Sequence, residues 1–369
     1  MKVLFLCWRD IKNPRSGGAE IYIYEVARRL VDEGHEVALF TARWDGAPGT
    51  ETIDGVRLLR RGAQATVHSH FMWWWLRAGR RQGFDLVIDV VNTLPFLTPL
   101  LVKESDARKL ALFFQLCRQI WFYESVVPLS AIGYLAELLY LKLYRRMKVV
   151  TISESSRRDL VSKGIPEDAV SICPVGIGIR PLDSIEPKGD GLDMIFVGRL
   201  TASKRPDHVI KAFSLVLAER PEARLIIAGD GRPWYRAKLE RLCRELLVDG
   251  AVDFKGRVTE EEKERLMQQA HVIAVTSVKE GWGLIVTEAN ALGTPAVVYD
   301  VDGLRDSVRG GETGIVCRTN TPEALAEEVL SLSGDAERYQ RLRQTALEWS
   351  RQFTWDRTAA EFRKVAGIQ

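Results

Sequence analysis

Apolar residues along this chain gather into short runs separated by amphipathic stretches, from the first residues almost to the last. Runs at 2–7, 36–41, 56–60, 85–89, 110–114, 148–152 and 170–173 are rich in Val, Ile, Leu and Phe and too short for helices, so they predict buried strands. Between the first two, residues 19–33 place Ile23, Val26, Ala27 and Leu30 on one face at helical spacing. The pattern dissolves at CPVGIGIRPLDSIEPKGDG, where Gly and Pro mark a linker around 175–190. Beyond it the alternation restarts. Strand-like DMIFVG, LIIAG, VDFKG, VIAVTS, PAVVYD and GIVC are separated by helical patterns that include 205–219, 234–247, 260–269, 284–292 and 322–332. Strands alternating with helices predict two α/β units, each a doubly wound parallel sheet. Ligands of such sheets lie beyond the carboxyl ends of the strands. Glycine turns at 17–18, 198, 229–231 and 281–283 all follow strands there.

Composition narrows the class without naming it. A chain of 369 residues is long enough for two or three domains with full cores. An apolar share of 46% with 27% charged residues is ordinary for a globular protein, and a net charge of +3 is too small to argue for nucleic acid. Cys7, Cys117, Cys173, Cys243 and Cys317 are scattered without paired metal spacing, which favours reduced thiols and a cytoplasmic setting. MKVLFLCW reaches Arg9 and Asp10 too soon for a signal peptide, and no apolar stretch approaches the ~18 residues a membrane span requires.

The candidate chemistry lies mainly in the second half. Arg199 and Lys204 follow the strand-like DMIFV in the turn GRLTASK; two fixed cations there would stabilise a departing anion, or would be surface charges at a helix start. Glu280 and Glu288 stand eight positions apart in EGWGLIVTE. A helix beginning near Gly283 would carry Glu288, leave Glu280 on the preceding loop, and offer the N–H groups of Gly283, Leu284 and Ile285 to phosphate oxygens. The plainer alternative is that Glu280 complements the helix dipole. Gly17 and Gly18 open the first helix, as a turn or as a close approach to phosphate or acceptor. Asp300-Val301-Asp302 spells DxD, but two carboxylates alone are thin support for a divalent cation, so no metal is expected.

MKVLFLCW, SGGAE, GHEV, VGRLTASKRP, LIIAGDG, FKGRV, EGWG and GLRDSVRGGETGIVC occur in the order seen in retaining glycosyltransferases of family 4, which this chain resembles over nearly its whole length. The resemblance implies a GT-B fold, two Rossmann-like domains facing each other across a cleft, with the C-terminal helix crossing back to the first domain. It divides the chain into an acceptor-binding domain at 1–180, with about 355–369 added, and a donor-binding domain at 181–354. It implies a retaining, metal-independent hexosyltransferase that moves a sugar from a UDP- or GDP-linked donor to an acceptor hydroxyl. Gly198, Arg199 and Lys204 would meet the pyrophosphate, Glu280 the sugar and Glu288 the ribose, with Gly256, Arg257 and Val258 near the base. Gly229-Asp230-Gly231 would be a strand-end turn facing the donor. Family members often carry a histidine where this chain has Phe114, followed by Gln115; His68 and His70 are distant substitutes. That departure keeps open a donor-binding protein without turnover. A nucleotide-sugar epimerase of the same architecture is the other alternative.

Two segments raise a membrane question. Residues 70–81 set three tryptophans beside three arginines, and 132–148 ends an apolar helical pattern in YRRMK. The first half also carries an excess of basic residues. These features suit an anionic lipid surface on the cytoplasmic side and a lipid-linked or cell-envelope glycan acceptor, or else helices packed on the first sheet with Trp inward and Arg outward.

Overall fold

The computed structural model describes residues 1–369 and divides into two compact units. The first comprises Met1–Trp121, Val127–Gly176 and Thr354–Gln369; the second comprises Phe122–Val126 and Ile177–Phe353.

In the first unit eight strands form one sheet: β1 (Lys2–Leu6), β2 (Glu36–Thr41), β3 (Thr50–Ile53), β4 (Val56–Arg60), β5 (Leu86–Val91), β6 (Arg108–Phe113), β7 (Lys148–Thr151) and β8 (Val170–Ile172). Their order is β3-β4-β2-β1-β5-β6-β7-β8, parallel throughout except for β3, which runs antiparallel to β4. Seven of these strands were legible as apolar runs. β3 was not, because Thr50, Glu51 and Thr52 leave it one apolar residue in four; the signal it does carry is the turn Asp54-Gly55, with φ of 46° and 76°, a two-residue hairpin geometry. Val3, Leu4, Phe5 and Leu6 are fully buried, as expected of a parallel strand covered on both faces. Helix Gly18–Asp32 covers one face with Tyr22, Ile23, Val26, Ala27 and Leu30.

The last helix, Trp355–Ala366, belongs to this first unit. Phe362 stacks on Phe5 with centroids 6.0 Å apart, Trp355 meets Tyr22 edge-on, and Arg29 pairs with Asp356 at 2.6 Å. Gly176 passes so close to Trp355 that a Cβ would lie 2.6 Å from its backbone nitrogen. The chain thus returns to its starting unit through specific packing.

The second unit holds β9 (Asp193–Val197), β10 (Arg224–Ala228), β11 (Val252–Gly256), β12 (Val272–Val275), β13 (Ala296–Val298) and β14 (Gly314–Val316), all parallel, in the order β11-β10-β9-β12-β13-β14. Counted from β9 this is 3-2-1-4-5-6, and the winding reverses between β9 and β12. The chain enters the unit at Ile177, whose N–H bonds Phe353 O at 3.1 Å; Leu182 N–H then bonds Ala291 O at 2.9 Å. Phe122–Val126 packs with this unit although its neighbours in sequence do not: Arg205 donates to Tyr123 Oη at 2.9 Å, and Ser203 Oγ donates to Glu124.

Candidate active site at the switch point of the second sheet

The winding reverses between β9 and β12, and open parallel sheets take their ligands beyond the carboxyl ends of the strands at such a point. The loops that follow β9 and β12 carry the two motifs singled out from sequence. They are tied together through the backbone. Thr276 Oγ1 donates to Lys204 O at 3.0 Å and to Arg205 O at 2.8 Å, and Val278 N–H bonds Ser203 O at 2.9 Å. Lys204 Nζ bonds Glu280 Oε1, and Ser277 Oγ donates to the same oxygen at 2.6 Å. Glu280 is thus fixed by a buried hydroxyl on one side and a cation on the other. Arg199 is exposed and its guanidinium makes no hydrogen bond or ion pair within the protein.

A layer of glycines continues the strand ladder across this edge. Gly198 N–H bonds Ala228 O at 3.0 Å, Gly229 N–H bonds Gly256 O at 2.8 Å, and Leu200 N–H bonds Asp230 O at 2.8 Å. A Cβ on Gly229 would lie 1.8 Å from Gly198 O, so no other residue fits. Gly229→Ala is expected to cost about 1–3 kcal/mol through overpacking. That should lower the midpoint by about 2–4 °C per kcal/mol, read by thermal denaturation; an unchanged midpoint would show that the turn can move aside.

Gly283, with φ of 90°, starts helix Leu284–Ala291, so the first N–H groups there have no intrahelical partner. Gly303 abuts the preceding loop, where a Cβ would meet Glu280 O at 2.3 Å, and Glu280 N–H bonds Asp302 O at 3.1 Å. Glu288 lies inside the helix with its side chain 14% exposed, 3.0 Å from Lys263 Nζ. Burial pushes the Glu288 carboxyl above the usual glutamate value, and Lys263 opposes that rise. Gly256 ends β11, and Arg257 and Val258 follow it in the turn to helix Glu260–Gln269. Asp300 and Asp302 are both bridged by Arg305, and Lys279 reaches Asp302 at 3.5 Å, so the DxD carboxylates serve ion pairs. The protein contains no cluster of three or more His, Cys, Asp or Glu arranged for a metal ion.

Residues 182–349 match the family model described as glycosyl transferases group 1, and residues 16–179 match that of glycosyltransferase family 4. An uncharacterised glycosyltransferase of Methanocaldococcus jannaschii is 30% identical, over 98% of this chain and 96% of that one. The chain belongs to the family 4 glycosyltransferases. A D-inositol 3-phosphate glycosyltransferase of Thermobispora bispora is 27% identical over 95% of this chain and 89% of its own length. Sucrose-phosphate synthase of Thermosynechococcus elongatus superposes with a TM-score of 0.81 at 19% identity, covering 99% of this chain and 98% of that one, which shows the shared GT-B fold.

Elsewhere in this glycosyltransferase, the sequence candidates of the first unit occupy different settings. Gly17 N–H is capped by Glu20 Oε2 at 2.8 Å, while the buried Glu20 also receives Arg9 Nε at 3.1 Å. A Cβ on Gly17 would meet only that oxygen, at 3.7 Å, so the fold itself does not demand glycine there. Phe114 follows β6 with its ring edge-on to Tyr22 at 5.3 Å, and its carbonyl accepts from Ser156 Oγ at 3.0 Å. The position is filled by a core contact, and Gln115 Oε1 beside it is buried without a partner. His68 Nε2 lies 3.2 Å from Leu94 O, and burial lowers its pKa; His70 Nδ1 lies 2.9 Å from Thr66 O. Both bond local backbone. Sequence reasoning missed Thr276, Ser277 and Lys263. Only Ser277, three residues before Glu280, left a legible trace.

Proposed function

We propose that this glycosyltransferase moves a sugar from a nucleotide-sugar donor to an acceptor hydroxyl with retention of anomeric configuration. The observation that carries the reading is the joining of Lys204, Glu280 and Ser277 at the switch point of the second sheet, beside the unpartnered Arg199. Arg199 and Lys204 take the charge that develops on the departing diphosphate, the part a metal ion plays in other transferases, so catalysis proceeds without one. The N–H groups of Gly283, Leu284 and Ile285 face the phosphates. Glu280 orients the donor sugar and Glu288 accepts from the ribose diol. Backbone at Gly198 and Gly256–Val258 lines the nucleotide. In the first unit, Gly17 and Gly18 give the acceptor close access to the backbone. With no nucleophilic side chain assigned, a donor phosphate oxygen assists deprotonation of the acceptor hydroxyl on the face the leaving group departs from.

The donor is UDP- or GDP-linked, and the acceptor is a glycan or a lipid-linked polyol of the cell envelope, reached from the cytoplasmic side. Inositol 3-phosphate belongs among the acceptors to assay, given the Thermobispora relative. A thermal-shift panel of UDP, GDP, ADP and their sugar conjugates tests the donor site. A ligand at about 100 times its Kd adds about 2.7 kcal/mol of stability. Response to one nucleotide family names the base. Silence across all of them removes the roles given to Arg199, Lys204 and Glu288. Binding without transfer to any acceptor would favour a donor-binding protein without turnover, the reading that Phe114 supports.

A further inference from the structure

Seventeen large apolar side chains are exposed in this protein, and fourteen of them fall between residues 73 and 143. The densest group lies on helix Leu129–Tyr144. Leu129, Ile132, Leu135 and Leu139 are 58–63% exposed and repeat at spacings of three, three and four, which puts them on one stripe. Val127, just before the helix, is 76% exposed. The opposite face is committed to the core: Tyr140, Leu141 and Tyr144 join the cluster with Phe113 and Val149. Tyr144 Oη donates to the buried Asp89, and Tyr140 Oη to Thr93 O at 3.3 Å. The helix therefore cannot roll to hide the stripe. The short helix Thr98–Leu101 packs beside it and adds Leu97 and Leu100 to the exposed set.

We propose that this stripe docks on an anionic lipid surface. It deepens the lipid-linked acceptor reading above and rests on that reading for its purpose. The charges around the stripe select the occupant. Lys142, Arg145, Arg146 and Lys148 are exposed at its end. The one acidic residue between 125 and 148, Glu137, points inward and accepts from Cys117 N–H at 2.9 Å and Arg118 N–H at 3.2 Å. Burying the stripe in a headgroup layer desolvates no carboxylate of residues 125–148, and Lys142 and Arg146, three and seven positions after Leu139, bring positive charge toward lipid phosphates at its end. No helix is long and apolar enough to cross a membrane, so this one lies in the interface plane.

The tryptophan run is not the docking element. Trp75 is buried, and Trp74 packs on Phe40 with centroids 5.0 Å apart. Trp73 alone is outward, under the Arg77 guanidinium at 5.0 Å.

Sedimentation with vesicles of phosphatidylglycerol and phosphatidylcholine, against phosphatidylcholine alone, tests the proposal. The full chain should bind the anionic vesicles, more weakly as salt is added. Leu135→Ser and Leu139→Ser should each weaken binding by about tenfold or more, since each withdraws a leucine from the apolar layer. Arg145→Gln with Arg146→Gln should weaken binding to the anionic vesicles, and Trp73→Ser should leave binding nearly unchanged. All these side chains are exposed, so the melting temperature and the nucleotide-induced shift should persist and report folding separately. Absent binding, binding indifferent to the leucine variants, or a dimer in light scattering that those variants dissolve would overturn the proposal. A protein that binds vesicles but no nucleotide would instead overturn the donor-site reading.

Discussion

Alanine in place of Lys204 should lower kcat by about 10²- to 10³-fold, the loss expected when one preorganised donor to a developing oxyanion is removed. It also weakens binding of the free nucleoside diphosphate. Glu280→Ala should lower kcat on a comparable scale while leaving diphosphate affinity unchanged or raised. The contrast follows from the pairing of Lys204 Nζ with Glu280 Oε1. A diphosphate must compete with that carboxylate for the lysine, and removing the carboxylate ends the competition. Ser277→Ala should fall between wild type and Glu280→Ala in kcat, because it removes the 2.6 Å hydrogen bond that fixes the carboxylate and spares the carboxylate itself. Steady-state kinetics with calorimetric titration of the diphosphate separates these outcomes. If Glu280→Ala lost diphosphate affinity as severely as Lys204→Ala, the assignment of Glu280 to the sugar would fall.

Donor affinity should fail on the acid side at a pH above the ordinary glutamate range, and Lys263→Met should move that limb higher still. In the proposed donor site, ribose hydroxyls donate strongly to Glu288 while it is ionised and much more weakly once it is protonated. Burial raises its pKa above 4.5, and Lys263 at 3.0 Å is the main force holding it down. The sign for folding is opposite. A carboxyl that takes its proton more readily folded than unfolded adds stability as pH falls between the two values. Affinity lost in that window therefore does not arise from unfolding driven by this group. Glu288→Ala should raise the donor KM by about 10- to 100-fold, the worth of hydrogen bonds to a charged acceptor at about 1.5–3 kcal/mol. Its pH profile should also lose the acid limb. A KM–pH profile of Lys263→Met that superposes on wild type would show that the lysine does not hold Glu288 charged.

The strand and helix pattern of both units was readable because periodicity is a local property, set by which side chains share a face. Glycines at strand ends were readable for a similar reason, although sequence could not show that Gly229 must be glycine because of Gly198 O. Helix Leu129–Tyr144 marks the limit. Apolar residues surround it on nearly all sides, so its sequence does not say which leucines meet the sheet; Asp89 and Thr93, bonded by its tyrosines, settle that. The same holds for the tryptophan run, where packing on Phe40 and Phe84 turns two rings inward.

The sequence by itself determined the two α/β units, the turns beyond their strands, and the residue types a transferase of this family needs. Only the tertiary structure decided which of those residues meet. Lys204 and Glu280 are 76 positions apart and touch because β9 and β12 are neighbours at the reversal of the sheet. Lys263 and Glu288 come from different helices. Strand order is a long-range outcome of crossover winding, and no local pattern in the chain encodes it.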